Sequence, residues 1–427
     1  MHPNALLDLA TELLRAVLRL DQPADGIVSA FFRQHKALGA RERHTLAETT
    51  YTVLRRKLQL QQLARSEGSL TRVGGTGALE RRLAILAWQG NEGFLRGALT
   101  PPELTWLAQA RAVDLSTLPE KTRHNLPDWL VDRLQAQLGE DFWPLALALQ
   151  QPAPLDLRVN TLKMKREQAQ ARLLEAGIAA EPTPFSPWGL RVQGKPALQK
   201  LALFTEGAIE VQDEGSQLLA LLTDPKRGEM VVDFCAGAGG KTLALGAAMR
   251  STGRLYAFDV SGHRLDALKP RMARSGLSNV HPAQIAHERD ERIKRLAGKI
   301  DRVLIDAPCS GLGTLRRNPD LKWRQSPQSV KELQAKQGAI LASAARLLKP
   351  GGRLVYATCS LLQAENEDVV AAFDAEHGRD FEVLPAAEAL AGARLERAAE
   401  LVAGPWLRLW PHRHGTDGFF AATWIRR

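Results

Sequence analysis

The chain has 427 residues, with 57 lysines and arginines against 47 acidic residues, so its formal net charge is +10. That length suits two or three domains, and 44% hydrophobic with 24% charged residues is an ordinary globular composition that excludes wholesale disorder. Its three cysteines, Cys235, Cys309 and Cys359, have no C-x-x-C spacing; they exclude a disulfide framework and a four-thiolate zinc site, and free thiols point to a cytoplasmic setting.

At the N-terminus, Leu6, Leu7, Leu13, Leu14 and Val17 are interrupted by Asp8, Glu12 and Arg15, the pattern of a helix face and not of a signal peptide. Apolar stretches such as Ala339–Ala345 fall far short of the roughly 18–20 residues that a bilayer span requires. Residues 1–150 read as all-α, with Leu46, Tyr51, Val53, Leu54 and Leu58 at helical spacing and a Gly/Ser/Thr-rich loop over 66–77. This part carries 18 basic and 16 acidic residues, leaving 39 against 31 in the remainder, so the positive excess sits mainly in the C-terminal part. Such an excess suits a polyanionic partner, and equally suits mere solubility. Residues 151–214 read as a small α+β segment, with strands at Leu155–Asn160 and Gly189–Val192 around a helix at Arg166–Glu175. From Gly215 the pattern becomes strand–turn–helix, with apolar runs at Met230–Phe234, Arg254–Phe258, Arg302–Ile305 and Arg353–Ala357. That predicts an α/β fold with an open parallel sheet, whose ligands bind at the carboxyl ends of the strands.

Four features of this part bear on chemistry. The turn Cys235-Ala236-Gly237-Ala238-Gly239-Gly240-Lys241-Thr242 joins a strand to a helix, where glycines let a ligand approach backbone N–H groups; a packing role alone is the alternative. It fits neither a Walker loop, which needs glycine where Cys235 stands, nor a dinucleotide fingerprint, which needs glycine at Thr242. Asp259 ends the next strand about 20 residues on, where a carboxylate can accept both hydroxyls of a ribose, though acids also end strands as turn formers. Asp306-Ala307-Pro308-Cys309-Ser310-Gly311 and Tyr356-Ala357-Thr358-Cys359-Ser360 each follow an apolar strand. A lone cysteine is more often a small buried apolar residue, but three at three strand ends point to function. Arg316, Arg317, Lys322 and Arg324, with Trp323 among them, read either as a surface for RNA phosphates and stacked bases or as a solvated loop.

The turns Cys235–Thr242, Asp306–Cys309 and Thr358-Cys359-Ser360 resemble the signature motifs of the RNA 5-methylcytosine methyltransferases of the Nol/Nop/Sun family. Leu157-Arg158-Val159-Asn160-Thr161, Val211-Gln212-Asp213, Leu348-Lys349-Pro350-Gly351-Gly352 and Asp417-Gly418-Phe419-Phe420 are similar to further family stretches, and Arg41…Leu46…Tyr51–Arg55 to a NusB-like helix. The specific likeness runs from about Pro154 to the C-terminus. The resemblance implies a class I (Rossmann-like) methyltransferase domain over 215–427, preceded by the α+β segment 151–214 and an all-α NusB-like RNA-binding domain over 1–150. It implies S-adenosyl-L-methionine as cofactor, held by Cys235, Ala236, Gly237, Ala238, Gly239, Gly240, Lys241, Asp259, Asp290 and Asp306. Ala238 stands where the family usually has proline, and Asp290, in the charged run His287–Arg292, is the candidate for the acid that contacts adenine. Cys359 is implied as the nucleophile that adds to cytosine C6, and Cys309 as the residue for proton removal or product release. Asp306 would hold the base edge, and Lys241 would orient the target or favour a thiolate. The implied substrate is RNA, small-subunit rRNA in single-stranded or looped form, met by a monomer with no metal and no membrane. The rival readings are a methyltransferase of another RNA, a DNA cytosine methyltransferase in which the Pro-Cys cysteine attacks, and a catalytically idle RNA-binding or ribosome-assembly factor.

Overall fold

The computed structural model describes residues 1–65 and 78–427; the loop expected over 66–77 lies outside the described residues. The chain divides into two compact units, one of residues 1–152 with 314–326, the other of residues 153–313 with 327–427.

The first unit is helical throughout its described residues. Its opening helix, Pro3–Val17, buries Leu6, Leu7, Ala10, Leu13, Leu14 and Val17 on one face, the i, i+3, i+4, i+7 spacing of an amphipathic helix. The helices Ala40–Arg55 and Ala78–Leu86 pack on that face. The excursion 314–326 overturns the expectation of an RNA-facing or solvated stretch for two of its residues. Lys322 is buried, its Nζ donating to the Arg55 carbonyl at 2.8 Å, and Trp323 Nε1 donates to the Leu54 carbonyl at 2.9 Å. Those carbonyls end a helix and have no partner within it. Asp320 does the same at another helix end, accepting from the Ala24 amide at the start of Ala24–Gln34 at 3.2 Å. Composition shows that the stretch is basic; it does not show that two helix ends await partners.

In the second unit, β1 (Leu155–Val159), β2 (Ala180–Pro182), β3 (Gly189–Val192) and β4 (Ile209–Val211) form an antiparallel sheet in the order β2-β3-β1-β4. The larger sheet comprises β5 (Met230–Asp233), β6 (Arg254–Asp259), β7 (Val280–Gln284), β8 (Ile300–Asp306), β9 (Leu348–Thr358), β10 (Phe381–Val383), β11 (Val402–Ala403), β12 (Trp406–Leu409) and β13 (Phe419–Arg426). Its order is β11-β12-β13-β9-β8-β5-β6-β7, with β10 also paired to β13; β5 to β9 run parallel and β10 to β13 are antiparallel additions. From β5 the chain first builds towards β7, then returns to lay β8 on the other side of β5. That reversal opens a crevice at the carboxyl ends of β5 and β8.

The small sheet props the rim of this crevice. Arg158 on β1 is buried and donates from one guanidinium nitrogen to the Gln212 side chain and, at 2.6 Å, to the Gly240 carbonyl. Glu210 on β4 accepts from Arg271 at 2.9 Å and Arg274 at 2.6 Å, and Arg271 also donates to the Ala238 carbonyl at 2.6 Å.

Lys322 yields a pH test. Burial, with Arg55 and Lys57 nearby, pulls its amine from the ordinary 10.5 down to about 7. Between those values the unfolded chain binds the proton and the native chain does not, so this residue makes native stability rise with pH across that window and adds a constant penalty below it. In thermal melts, the Tm of the protein minus that of Lys322→Met is expected to increase from pH about 7 to about 10. A difference that stays flat across the window would show that Lys322 keeps an ordinary amine in the fold.

Candidate active site

Strand β5 delivers Asp233 to the crevice and turns through Cys235–Gly239 into the helix Gly240–Ala248. Gly239 has φ of +81°, the left-handed region that favours glycine, and a Cβ there would stand 2.1 Å from Leu268 Cδ1, so any side chain would strain the turn and displace Leu268. A cavity of about 880 Å³ opens beside it. Its walls include Cys235, Ala236, Gly237, Ala238, Gly240, Lys241, Asp259, Asp306, Cys309 and Cys359, which places on one cavity all the expected site residues but two. Gly239 faces Leu268 and is not among the wall residues. Asp290 is the correction: it caps the short helix Glu291–Lys294, with Oδ1 accepting from the Arg292 amide and Oδ2 from the Ala286 amide, and it does not reach the cavity wall. His287 and Glu288 of the same charged run line the wall instead.

The carboxylates on this wall are held in different ways. Asp259 accepts from the Gly237 amide at 2.8 Å and from the Ser261 amide at 2.7 Å, which fixes it at the end of β6 against the glycine turn. Asp233 accepts from the Thr242 hydroxyl at 2.7 Å through Oδ2, while its buried Oδ1 has no partner. Burial pushes its carboxyl up to about 7. Asp306 and Lys241 form an ion pair with Nζ 2.6 Å from Oδ2, largely shielded from solvent. Burial works against the Lys241 ammonium, but the Asp306 charge and hydrogen bond, with Cys359 and Asp233 adding to them, raise it.

At the other end of the cavity, β8 and β9 are neighbours and carry Cys309 and Cys359 on the turns beyond their carboxyl ends. The two Sγ atoms are 3.4 Å apart. The hydrogen bond with Cys359, together with burial, pushes the Cys309 thiol well above the ordinary thiol range. Behind the thiols lies a group that the sequence motifs do not announce. Glu365, fully buried, accepts from the Ser310 amide at 2.8 Å, the Ser310 hydroxyl at 2.5 Å, the Gln337 side-chain amide at 3.0 Å and the Ser360 hydroxyl. One carboxylate thus ties the residue after Cys309 to the residue after Cys359. The backbone is equally tight here: the Gly313 amide donates to the Cys359 carbonyl at 2.8 Å, and the Gly418 amide to the Gly313 carbonyl at 2.9 Å. A Cβ on Gly313 would fall 2.0 Å from the Gly418 carbonyl oxygen, and one on Gly418 would fall 3.0 Å from the Gly313 Cα, so the close approach of the two turns needs glycine on both sides.

A parallel sheet whose strand order reverses beside a glycine turn, with the antiparallel β13 laid against β9, fits a Rossmann-like methyltransferase fold. Comparison with known proteins narrows this. The family model described as 16S rRNA methyltransferase RsmB/F matches residues 220–425, and one described as an RsmF/B-like ferredoxin-like domain matches residues 126–199. A probable ribosomal RNA small subunit methyltransferase B of Synechocystis is 30% identical over 442 residues, covering 97% of this chain and 98% of that one. The crystal structure of PH0851 superposes with a TM-score of 0.78 at 26% identity, covering 100% of this chain and 99% of that one. A methyltransferase homologue from Pyrococcus horikoshii gives 0.62 at 31% identity, over 74% of this chain and 100% of that one. The chain belongs to the RsmB/F family of methyltransferases, and its cofactor is S-adenosyl-L-methionine.

The residues present fit that cofactor. The cavity sets a fixed carboxylate, Asp259, at a strand end, apolar walls at Val260 and Ile285, and the unpartnered Asp233 oxygen beside the glycine turn.

Two of the donors to Glu365 are amides, at Oε1, and two are hydroxyls, at Oε2, which can also accept. Alanine orphans all four, whereas glutamine can keep its carbonyl towards the amides and donate to a hydroxyl. Urea denaturation is therefore expected to show Glu365→Ala losing about 1–3 kcal/mol or more for the orphaned buried groups, and Glu365→Gln less. A Glu365→Ala variant as stable as the parent would mean that the carboxylate is not the joint.

Proposed function

We propose that the chain is an S-adenosyl-L-methionine-dependent cytosine-C5 methyltransferase of small-subunit rRNA, working through a covalent bond between Cys359 and cytosine C6. The observation that carries this reading is the pair of thiols 3.4 Å apart at the mouth of the cofactor cavity. Cytosine C5 is a weak nucleophile, and a thiolate adding at C6 converts the ring into an enamine whose C5 can be alkylated. The cofactor, when bound, supplies an electrophilic methyl group.

The two cysteines divide the work by their surroundings. Cys309 keeps its proton, because its hydrogen bond with Cys359 and its burial both oppose ionisation, so it is unsuited to attack. Cys359 shares its surroundings with the Lys241 ammonium, which Asp306 holds in the charged form. Cys359 therefore forms the bond to C6. After C5 is methylated, its proton leaves, the Cys359–C6 bond breaks and the ring regains aromaticity, with Cys309 handling the proton or the release. Asp306 holds the edge of the base, and Asp259 with the turn Cys235–Lys241 holds the cofactor. Residues 215–427, apart from the excursion 314–326, form the catalytic domain and 151–214 the small α+β segment, while the all-α region 1–150 acts as a NusB-like RNA-binding domain. The target cytosine reaches Cys359 from a single strand or a loop, and the enzyme works as a cytoplasmic monomer.

RNA containing 5-fluorocytidine tests the chemistry, since fluorine cannot leave C5 as a proton. The protein is expected to form an adduct that survives denaturing electrophoresis, Cys359→Ser none, and Cys309→Ser an adduct even on unmodified RNA. Trapping by Cys359→Ser but not by Cys309→Ser would reverse the two roles. For the cofactor, Asp259→Asn is expected to weaken S-adenosyl-L-methionine binding about tenfold or more in calorimetry, the loss of a charge-assisted contact.

A further inference from the structure

The helical unit contains a cavity of about 550 Å³ that no part of the methyl-transfer reading uses. It is walled by Arg56, Arg123, Trp143, Leu115, Leu147 and Gln151, among others, and no acidic side chain among the described residues lines it. The Arg123 guanidinium lies over the Trp143 ring at 5.1 Å from its centroid, and Arg123 Nε is buried with no hydrogen-bond partner. Leu115 and Leu147 are 42% and 57% exposed, two of the few large apolar side chains open to solvent, and both face this one cavity.

The floor is preformed. The buried Gln150 donates to the Arg123 carbonyl at 2.8 Å and accepts from the buried Asn125 side chain at 2.9 Å, and Asn125 in turn accepts from the Gln59 amide at 3.0 Å. These bonds fix the backbone that presents Arg123. A concave site with an aromatic ring, two cationic guanidinium groups, exposed aliphatic walls and no anion selects for a flat, anionic ligand. A nucleotide has that chemistry: a base that stacks on rings and guanidinium planes, and a phosphate that pairs with arginine.

We propose that this cavity takes one unstacked nucleotide of the substrate RNA, its base against the Trp143–Arg123 pair and the leucines, its phosphate at Arg56 and Arg123. The helical unit thereby grips RNA at a point of its own, apart from the target cytosine. The inference rests on the reading of RNA as substrate, and the experiment separates the two.

Small-subunit rRNA transcribed in vitro, with 4-thiouridine replacing some of its uridines, is photo-crosslinked to the full chain, and the crosslinked peptides are mapped by mass spectrometry. Affinity is measured in parallel by filter binding. Crosslinks are expected within Trp143–Gln151. Leu147→Glu and Arg56→Glu, both on the rim, are each expected to weaken binding about tenfold or more while the thermal melt stays that of a folded chain. Trp143→Ala is expected to do the same and to remove the crosslink. Binding within about twofold of the parent for both rim variants, with no crosslink in this segment, would overturn the nucleotide site and leave the RNA reading intact. No binding of the unaltered chain to the transcript would instead sink the RNA reading itself.

Discussion

Two turns from neighbouring strands can hold their thiols 3.4 Å apart only if something behind them sets the distance. Here it is the Glu365 carboxylate, which takes donors from the turn of β8, the turn of β9 and Gln337 of the helix Pro327–Ala345. The Tyr356 hydroxyl closes the arrangement by donating to the Glu365 carbonyl at 2.7 Å. A buried acceptor surrounded by donors has one low-energy arrangement, because turning away orphans several groups at once. Everything in front of it inherits that rigidity: the facing thiols, the Gly313–Gly418 contact and the register of the Asp417–Phe420 stretch against them. The cost of such an arrangement is intolerance of truncation, since a side chain without polar atoms would orphan every one of those groups.

The cofactor end is braced by different physics. There the backbone of a glycine turn must stay open, so it is held by groups at its margins. Arg158 and Arg271 take the carbonyls of Gly240 and Ala238, and Asp259 takes the Gly237 amide. Both arginines are anchored in turn, Arg158 on Gln212 and Arg271 on Glu210, so the small antiparallel sheet acts as a buttress for a turn it does not belong to. Between the two ends, the Lys241–Asp306 pair belongs to both: Lys241 lies in the first turn of the helix after the glycine turn, and Asp306 ends the strand that leads to Cys309. Its Nζ also lies 5.8 Å from the centroid of the Phe419 ring, which keeps the ammonium in a largely dry setting.

Much of this was legible in the sequence because it is written in local pattern. The apolar runs at Met230, Arg254, Arg302 and Arg353 lie in β5, β6, β8 and β9, and the motif residues cluster as strand ends of one sheet. The sequence does not mark β7 as a strand, since His281 and Pro282 break its pattern; an edge strand tolerates a proline because one side of its ladder is unpaired. Glu365 had no signal at all. It is an ordinary acid in the polar run Gln363–Glu367, and only the fold shows four donors meeting it. Asp290 failed for the opposite reason: several charges in one run satisfy the same spacing, and the one that caps a helix is no longer free to face a ligand. Trp323 and Lys322 looked like surface chemistry because basic and aromatic residues are what RNA surfaces use, yet the same groups serve to finish helix ends.

That excursion, 314–326, has a consequence for how the molecule can be taken apart. The chain leaves the catalytic unit just after Gly313, supplies helix ends in the helical unit and returns at Pro327, so the division between the units is crossed three times and not once. Cutting after Pro152 would strand Asp320, Lys322 and Trp323 without the backbone they complete, a few residues downstream of Cys309. The two units are therefore not cassettes that recombination or design can swap at a linker; a new N-terminal partner would have to arrive with its own matching insert inside the methyltransferase.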